Sequence, residues 1–277
     1  MQTIIHTPQL DTPQRDQISA VIPGELEHCG EFYRLHHRQA LAQDALFALR
    51  STLPFDINPL PAGLAQDAVG LLVSDMDSTL INIECVDEIA DFAGLKPQVA
   101  AITEAAMRGE LDFAASLTQR VATLKGLDEA VLARVYEERL LPNPGAETLI
   151  AGLKQRGIRF ALVSGGFTFF TERLQQRLAL DYTRANLLEI QGGRLTGKVL
   201  GSIIDAKAKA DFLQELCEEL GIQPAQTIAM GDGANDLMMM AVAGMGVAYR
   251  AKPKVQAQSD VVLNHSGLDA VLHFLPL

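Results

Sequence analysis

The sequence predicts an α/β protein built on a mostly parallel sheet, and three observations carry that prediction. Five short apolar runs lack the alternation of a half-exposed strand: GLLVS (70–74), FALVS (160–164), TIAM (227–230), GVAY (246–249) and VVL (261–263). Such runs suit strands buried on both faces. Segments with helical apolar spacing separate them, which predicts right-handed βαβ crossovers. A chain of 277 residues, 48% hydrophobic and 21% charged, is long enough for a large core with a smaller unit beside it.

Residues 1–66 read as a small N-terminal α/β module. It comprises a strand in TIIHT, a helix in PQRDQISAVI, a strand in EFYRLH and a helix in ALAQDALFALRS, followed by LPFDINPLPAG (53–63) as a Pro-rich linker. Residues 67–277 form the second unit. After its first strand comes a long insertion, about residues 82–138, helical throughout in VDEIADFAGL, SLTQRVATL and EAVLARVYEERL. This predicts a helical cap beside the sheet. In NLLEIQGGRLTGKVL, Gly192-Gly193 offers the turn of a hairpin.

Charge and cysteines exclude several classes of function. Lys and Arg number 23 against 34 Asp and Glu, a net charge of −11 that repels phosphate backbones and argues against nucleic acid. Cys29, Cys85 and Cys217 are odd in number and show no C-x-x-C spacing, which fits a reduced cytoplasm. The N-terminal residues meet Pro and acids before any apolar signal region. The longest uncharged stretch, 237–249, is shorter than the roughly 20 residues of a membrane helix. A soluble, cytoplasmic protein with no membrane partner is expected. None of the six histidines falls in a motif, which argues against a Ser-His-Asp or zinc hydrolase.

The chemistry sits where strands end. GLLVS runs directly into Asp75-Met76-Asp77-Ser78-Thr79, two acids and two hydroxyls at the edge where open α/β sheets place ligands. Taken alone, Asp77 or Ser78 would serve equally as a helix cap. FALVS leads into Ser164-Gly165-Gly166, whose glycines let backbone N–H groups approach an anion. TIAM leads into Gly231-Asp232-Gly233-Ala234-Asn235-Asp236, oxygen donors that suit a hard cation or, more simply, an Asx-rich turn. Lys207 and Lys209 open the helical DFLQELCEEL, where one lysine could fix a phosphate and the other stay solvated.

In that order the four segments resemble the motifs of the haloacid-dehalogenase (HAD) superfamily of aspartate-nucleophile phosphatases. Residues 70–277 resemble, more closely, its phosphoserine phosphatase branch. The resemblance implies a Rossmann-like HAD core with the cap inserted after the first core strand. It implies Mg²⁺ as cofactor, phosphoserine as a small-molecule substrate, and serine biosynthesis as the setting. Asp75 would be the nucleophile and Asp77 the general acid and then base. Asp75, the Asp77 carbonyl and Asp232 would hold the metal, with Asp236 supporting it from behind. Ser164, Gly165 and Lys209 would hold the phosphoryl group; Lys209 is preferred because the family's lysine precedes an x-x-[IFL]-L helix start, here Lys209-Ala-Asp-Phe-Leu. Asn235 would contact substrate. In the cap, Glu84 and Arg120 match the residues that take the substrate ammonium and carboxylate, and Met107 and Phe113 match the apolar cover. A signalling receiver also uses Asp, Mg²⁺ and Lys, but the cap and the second acid, Asp77, count against it. The N-terminal β-α-β-α run resembles a truncated amino-acid-binding domain, which implies serine binding or a homodimer.

Overall fold

The computed structural model describes residues 1–276. The chain begins β1 (Gln2–Ile5), α1 (Thr12–Val21), β2 (Gly24–His28), β3 (Tyr33–His37), α2 (Gln43–Thr52), β4 (Ile57–Pro59). These strands pair antiparallel in the order β2-β3-β1-β4. Asp11 starts α1 by accepting from the Gln14 N–H at 2.8 Å, and the Gln14 side-chain oxygen in turn accepts from the Asp11 N–H. Ile18, Leu46 and Leu49 from the two helices, with Ile22 just after α1, pack with Ile5, Leu35 and Ile57 on one face of the sheet. The opposite face, with Ile4 and Phe32, joins the main core of the protein.

Two expectations for this region need correction. The run has two strands more than the expected β-α-β-α and reads β-α-β-β-α-β; β2 escapes a reading of apolar pattern because its GELEH is mostly exposed. The Pro-rich segment is not a free linker. Within it, β4 pairs with β1, and Phe55 and Ile57 are buried. Pro59 sits at the end of an edge strand, where a missing N–H is tolerated. The Asp56 carboxylate accepts from the backbone N–H groups of Asn264, His265 and Ser266. The Asn58 amide both donates to the Val262 carbonyl and accepts from the Val262 N–H, each at 2.9 Å.

After β5 (Leu71–Ser74) the chain leaves the sheet for α3 (Cys85–Phe92), α4 (Lys96–Met107), α5 (Phe113–Thr123) and α6 (Ala130–Glu138). It returns through α7 (Ala146–Gln155), β6 (Arg159–Phe167), α8 (Thr168–Leu178) and the hairpin β7 (Tyr182–Gln191) and β8 (Arg194–Leu200). Then follow α9 (Ala206–Leu220), β9 (Thr227–Gly231), α10 (Leu237–Val242), β10 (Met245–Tyr249), α11 (Pro253–Gln256) and β11 (Val261–Leu263). The sheet order is β11-β10-β9-β5-β6-β7-β8, parallel except for the antiparallel hairpin. The five apolar runs fall within β5, β6, β9, β10 and β11, so this is the expected α/β core. Gly192 and Gly193 both have positive φ, +58° and +75°, as a tight hairpin turn requires.

This topology positions the site. The chain passes from β5 to β6 on one side and later returns to β9 on the other, so strand order reverses at β5. A crevice opens at the carboxyl ends on either side of such a reversal. The Asp75 N–H extends the β5–β9 ladder by one bond to the Met230 carbonyl, 2.9 Å, and so fixes where the first acid leaves the sheet.

Candidate active site

Lys209 is fully buried, and its ammonium donates to Asp75 Oδ1 at 2.5 Å and to Asp236 Oδ1 at 2.7 Å. The sequence places it there by a cap: Asp205 accepts from the Ala208 N–H at 2.8 Å, so Lys209 lies in the first turn of α9. Lys207, two residues earlier, is exposed and pairs with Asp211 along the helix. Burial alone would lower the Lys209 pKa, but Asp236 and Asp75 outweigh it and hold the ammonium charged. Burial and the charge of Asp236 push the Asp75 carboxyl well above its ordinary range, against the opposing pull of Lys209.

Oxygens of Asp75, Asp232 and Asp236 lie within 4.8 Å of one another. A hard divalent cation prefers carboxylate oxygens grouped in this way, and the three residues are chemically suited to hold one. Asp232 is pushed up to about 7 by burial, then by Asp236 and Glu84; a cation among these oxygens would relieve that repulsion. Asp236 is itself fixed, accepting from the Gly233 N–H at 3.0 Å as well as from Lys209.

Asp77 stands on the wide turn that follows Asp75, and its Oδ1 accepts from the Cys85 N–H at 3.1 Å. Burial, then the charge of Glu84, raises it to about 7, while the bond from Cys85 opposes the rise. The turn includes Ser78 at φ +55°, and the Ser78 hydroxyl donates to Glu84 Oε1 at 2.7 Å. Glu84 reaches solvent at the N-terminus of α3, yet its carboxyl is raised, chiefly by desolvation. Arg120, in the last turn of α5, acts on Glu84 through its charge. Its Nε is buried without a hydrogen-bond partner, a donor free for an anion. Among the described residues no ion pair joins Glu84 to Arg120.

Ser164 is fully buried, with its Oγ accepting from the Gly166 N–H at 2.8 Å. A Cβ on Gly166 would lie 2.9 Å from Asp77 Oδ2, so glycine lets this strand end pass close to the acid without displacing its side chain. Phe113, at the start of α5, lays its ring on Gly165: a Cβ there would meet Phe113 Cζ at 2.6 Å. The cap thus touches the core at the Ser164 turn. Asn235 is half-buried in the same turn as Asp236. Met107 ends α4, and its side chain lies outside what is described.

Two neighbours of the site were given no role by the sequence. Buried Thr79 brings Oγ1 to 3.4 Å from Asp232 Oδ1. Asn143 donates to the carbonyls of Thr79 and Ile81 at 2.8 and 2.9 Å, tying down the turn that carries Asp77. Thr79 belongs to the acid–hydroxyl run, so its position there was the available signal. Asn143 sits in an N-P-G sequence that signals only a turn.

A buried lysine shared by carboxylates thus lies at the switch point of a mostly parallel sheet, beneath a helical cap. The family model of haloacid dehalogenase-like hydrolases matches residues 69–244, and the chain belongs to that family. It is 56% identical over 210 residues to a phosphoserine phosphatase of Polaromonas sp. (strain JS666), covering 74% of this chain and 89% of that one. It is 45% identical over 260 residues to the phosphoserine phosphatase of Haemophilus influenzae, covering 90% and 82%. The unliganded crystal structure of a probable phosphoserine phosphatase from Vibrio cholerae superposes with a TM-score of 0.85 at 39% identity, covering 99% of this chain and 86% of that chain.

Proposed function

We propose that this chain hydrolyses O-phospho-L-serine to L-serine and phosphate with Mg²⁺ as cofactor, through an aspartyl-phosphate on Asp75, as the last step of serine biosynthesis in the cytoplasm. The observation that carries the reading is the buried Lys209 bonded at once to Asp75 and Asp236, with Asp232 completing an oxygen cluster. The names of the relatives at 45% and 56% identity support the substrate.

In the first step Asp75 attacks phosphorus and the bond from phosphorus to the serine oxygen breaks. Asp77, whose raised pKa leaves much of it protonated near neutrality, gives its proton to the departing oxygen. In the second step a water attacks the aspartyl-phosphate and loses its proton to Asp77; the bond between phosphorus and the Asp75 oxygen breaks, freeing phosphate. Lys209, with the Ser164 hydroxyl and the backbone at Gly165, holds the phosphoryl oxygens. Mg²⁺, held by the Asp75 and Asp232 carboxylates and the Asp77 carbonyl with Asp236 behind them, would offset repulsion between an anionic nucleophile and a phosphate dianion.

The cap selects the substrate. Glu84 receives the ammonium and the unpartnered Arg120 Nε meets the carboxylate. Phe113 covers the site where its ring lies on Gly165, and Asn235 contacts substrate from the core. Residues 1–66 form a separate module docked on the phosphatase domain of 67–277. Phosphate release from L-phosphoserine, phosphothreonine and several sugar phosphates, with Mg²⁺ and with EDTA, tests the proposal. Rapid, Mg²⁺-dependent release selective for phosphoserine is expected; slow or unselective release refutes the assignment of the cap.

A further inference from the structure

Asn186 is nearly fully buried, 1% exposed, on β7, and no motif includes it. Strands β6 and β7 pair in register as far as Val163↔Arg184 and resume at Phe167↔Asn186. Residues 164–166 therefore stand opposite Ala185 alone, and the strand bulges out of the ladder where Ser164 must face the site. The bulge removes Gly165 from the regular ladder. Asn186 Nδ2 donates to the Gly165 carbonyl at 2.8 Å. The other end of the same amide, Oδ1, accepts from the Ile204 N–H at 2.9 Å. Ile204 immediately precedes Asp205, the cap of the helix that carries Lys209.

We infer that Asn186 is a positioning residue that sets the two phosphoryl-holding segments against each other, one ending in Ser164 and Gly165 and one leading to Lys209. The inference rests on the phosphatase reading of those residues. An amide presents a donor and an acceptor on one rigid plane, so a single rotamer fixes both segments. Leucine would fill the volume, and Leu188 two residues on is buried, so packing does not call for a polar group here. The use of the amide lies in its two bonds, and losing them leaves a half-buried carbonyl and a half-buried N–H without their partner.

The test measures binding of inorganic phosphate and, separately, of L-serine by calorimetry on the full chain with Mg²⁺, for wild type, Asn186→Leu and Asn186→Asp, alongside thermal melting. By analogy with other supporting hydrogen bonds, phosphate should bind about 10- to 100-fold more weakly in both variants. L-Serine, held by the cap, should bind within about twofold of wild type. A carboxyl at 186 can donate to Gly165 only when protonated, so Asn186→Asp should approach wild-type phosphate affinity as pH is lowered, whereas Asn186→Leu should not. Lower melting temperatures with unchanged phosphate affinity, or equal weakening of phosphate and L-serine, would overturn the inference. Wild type that binds phosphate but not L-serine would refute the phosphoserine reading instead, and the phosphate comparison would still decide the role of Asn186.

Discussion

Replacing Lys209 with Met removes the cation that two buried carboxylates share while keeping a side chain of similar length. Lys209 and Asp236 are fully buried and Asp75 is 5% exposed, so solvent screens the remaining charges little. Removing one partner of such a buried pair costs about 3–5 kcal/mol. A chain of this size loses about 2–4 °C of melting temperature per kcal/mol, giving a drop of roughly 6–20 °C. The penalty has a defined pH sign. Below the unfolded carboxylate pKa, about 3.9, Asp75, whose carboxyl is held high in the fold, is protonated in either state and losing the lysine costs less. As pH rises the unfolded chains ionise alike, but without the downward pull of Lys209 the Asp75 carboxyl is held higher still in the folded variant, so the gap between wild type and variant widens. Urea unfolding followed by circular dichroism, at about pH 5 and pH 8 with EDTA and then with Mg²⁺, reads this directly. The gap should be larger at the higher pH and should shrink when Mg²⁺ replaces the missing charge. A gap below about 1 kcal/mol at the higher pH, or one wider in acid, would refute the claim that Lys209 neutralises these carboxylates.

The raised Asp77 carboxyl, at about 7, predicts that kcat/KM falls as pH rises through neutrality and the acid loses its proton; Asp77→Asn should cost about 10²- to 10⁴-fold and flatten that limb in a pH–rate profile. Asn58→Ala orphans both backbone groups of Val262, at about 1–3 kcal/mol each, so roughly 2–6 kcal/mol of stability should be lost. Calorimetry of the wild type should show one transition, since that amide and Asp56 bind the N-terminal module to β11 and the segment after it. Arg120→Ala should lower kcat/KM for phosphoserine by about 10- to 100-fold, the worth of a hydrogen bond to a charged group, and leave hydrolysis of p-nitrophenyl phosphate nearly unchanged.

What could be read in the chain, and what could not, divides along physical lines. Strands β5, β6, β9, β10 and β11 are apolar runs because both faces are buried, and such runs are visible without knowing their neighbours. The site segments at Asp75–Thr79, Ser164–Gly166 and 232–236 are visible for a similar reason: each packs its chemistry into consecutive residues at or just after the carboxyl end of a strand. Strand β2 is mostly exposed and β4 is three residues long, ending in Pro59 within a Pro-rich segment, so neither gives a local signal. Asn143 and Asn186 act through bonds to residues 64 and 21 positions away. Nothing adjacent to either asparagine announces the partner. The same holds for Asn58, whose partner Val262 lies 204 positions along the chain.

The central claim is that Asp75 carries the phosphoryl group. Rapid acid quench of wild type with phosphoserine and Mg²⁺, followed by peptide mass spectrometry, tests it most directly. The account predicts a peptide spanning Asp75 heavier by one phosphoryl group, acid-stable and labile to hydroxylamine, and absent from Asp75→Asn. Turnover with no phosphorylated Asp75 peptide, or activity that survives Asp75→Asn, would contradict it.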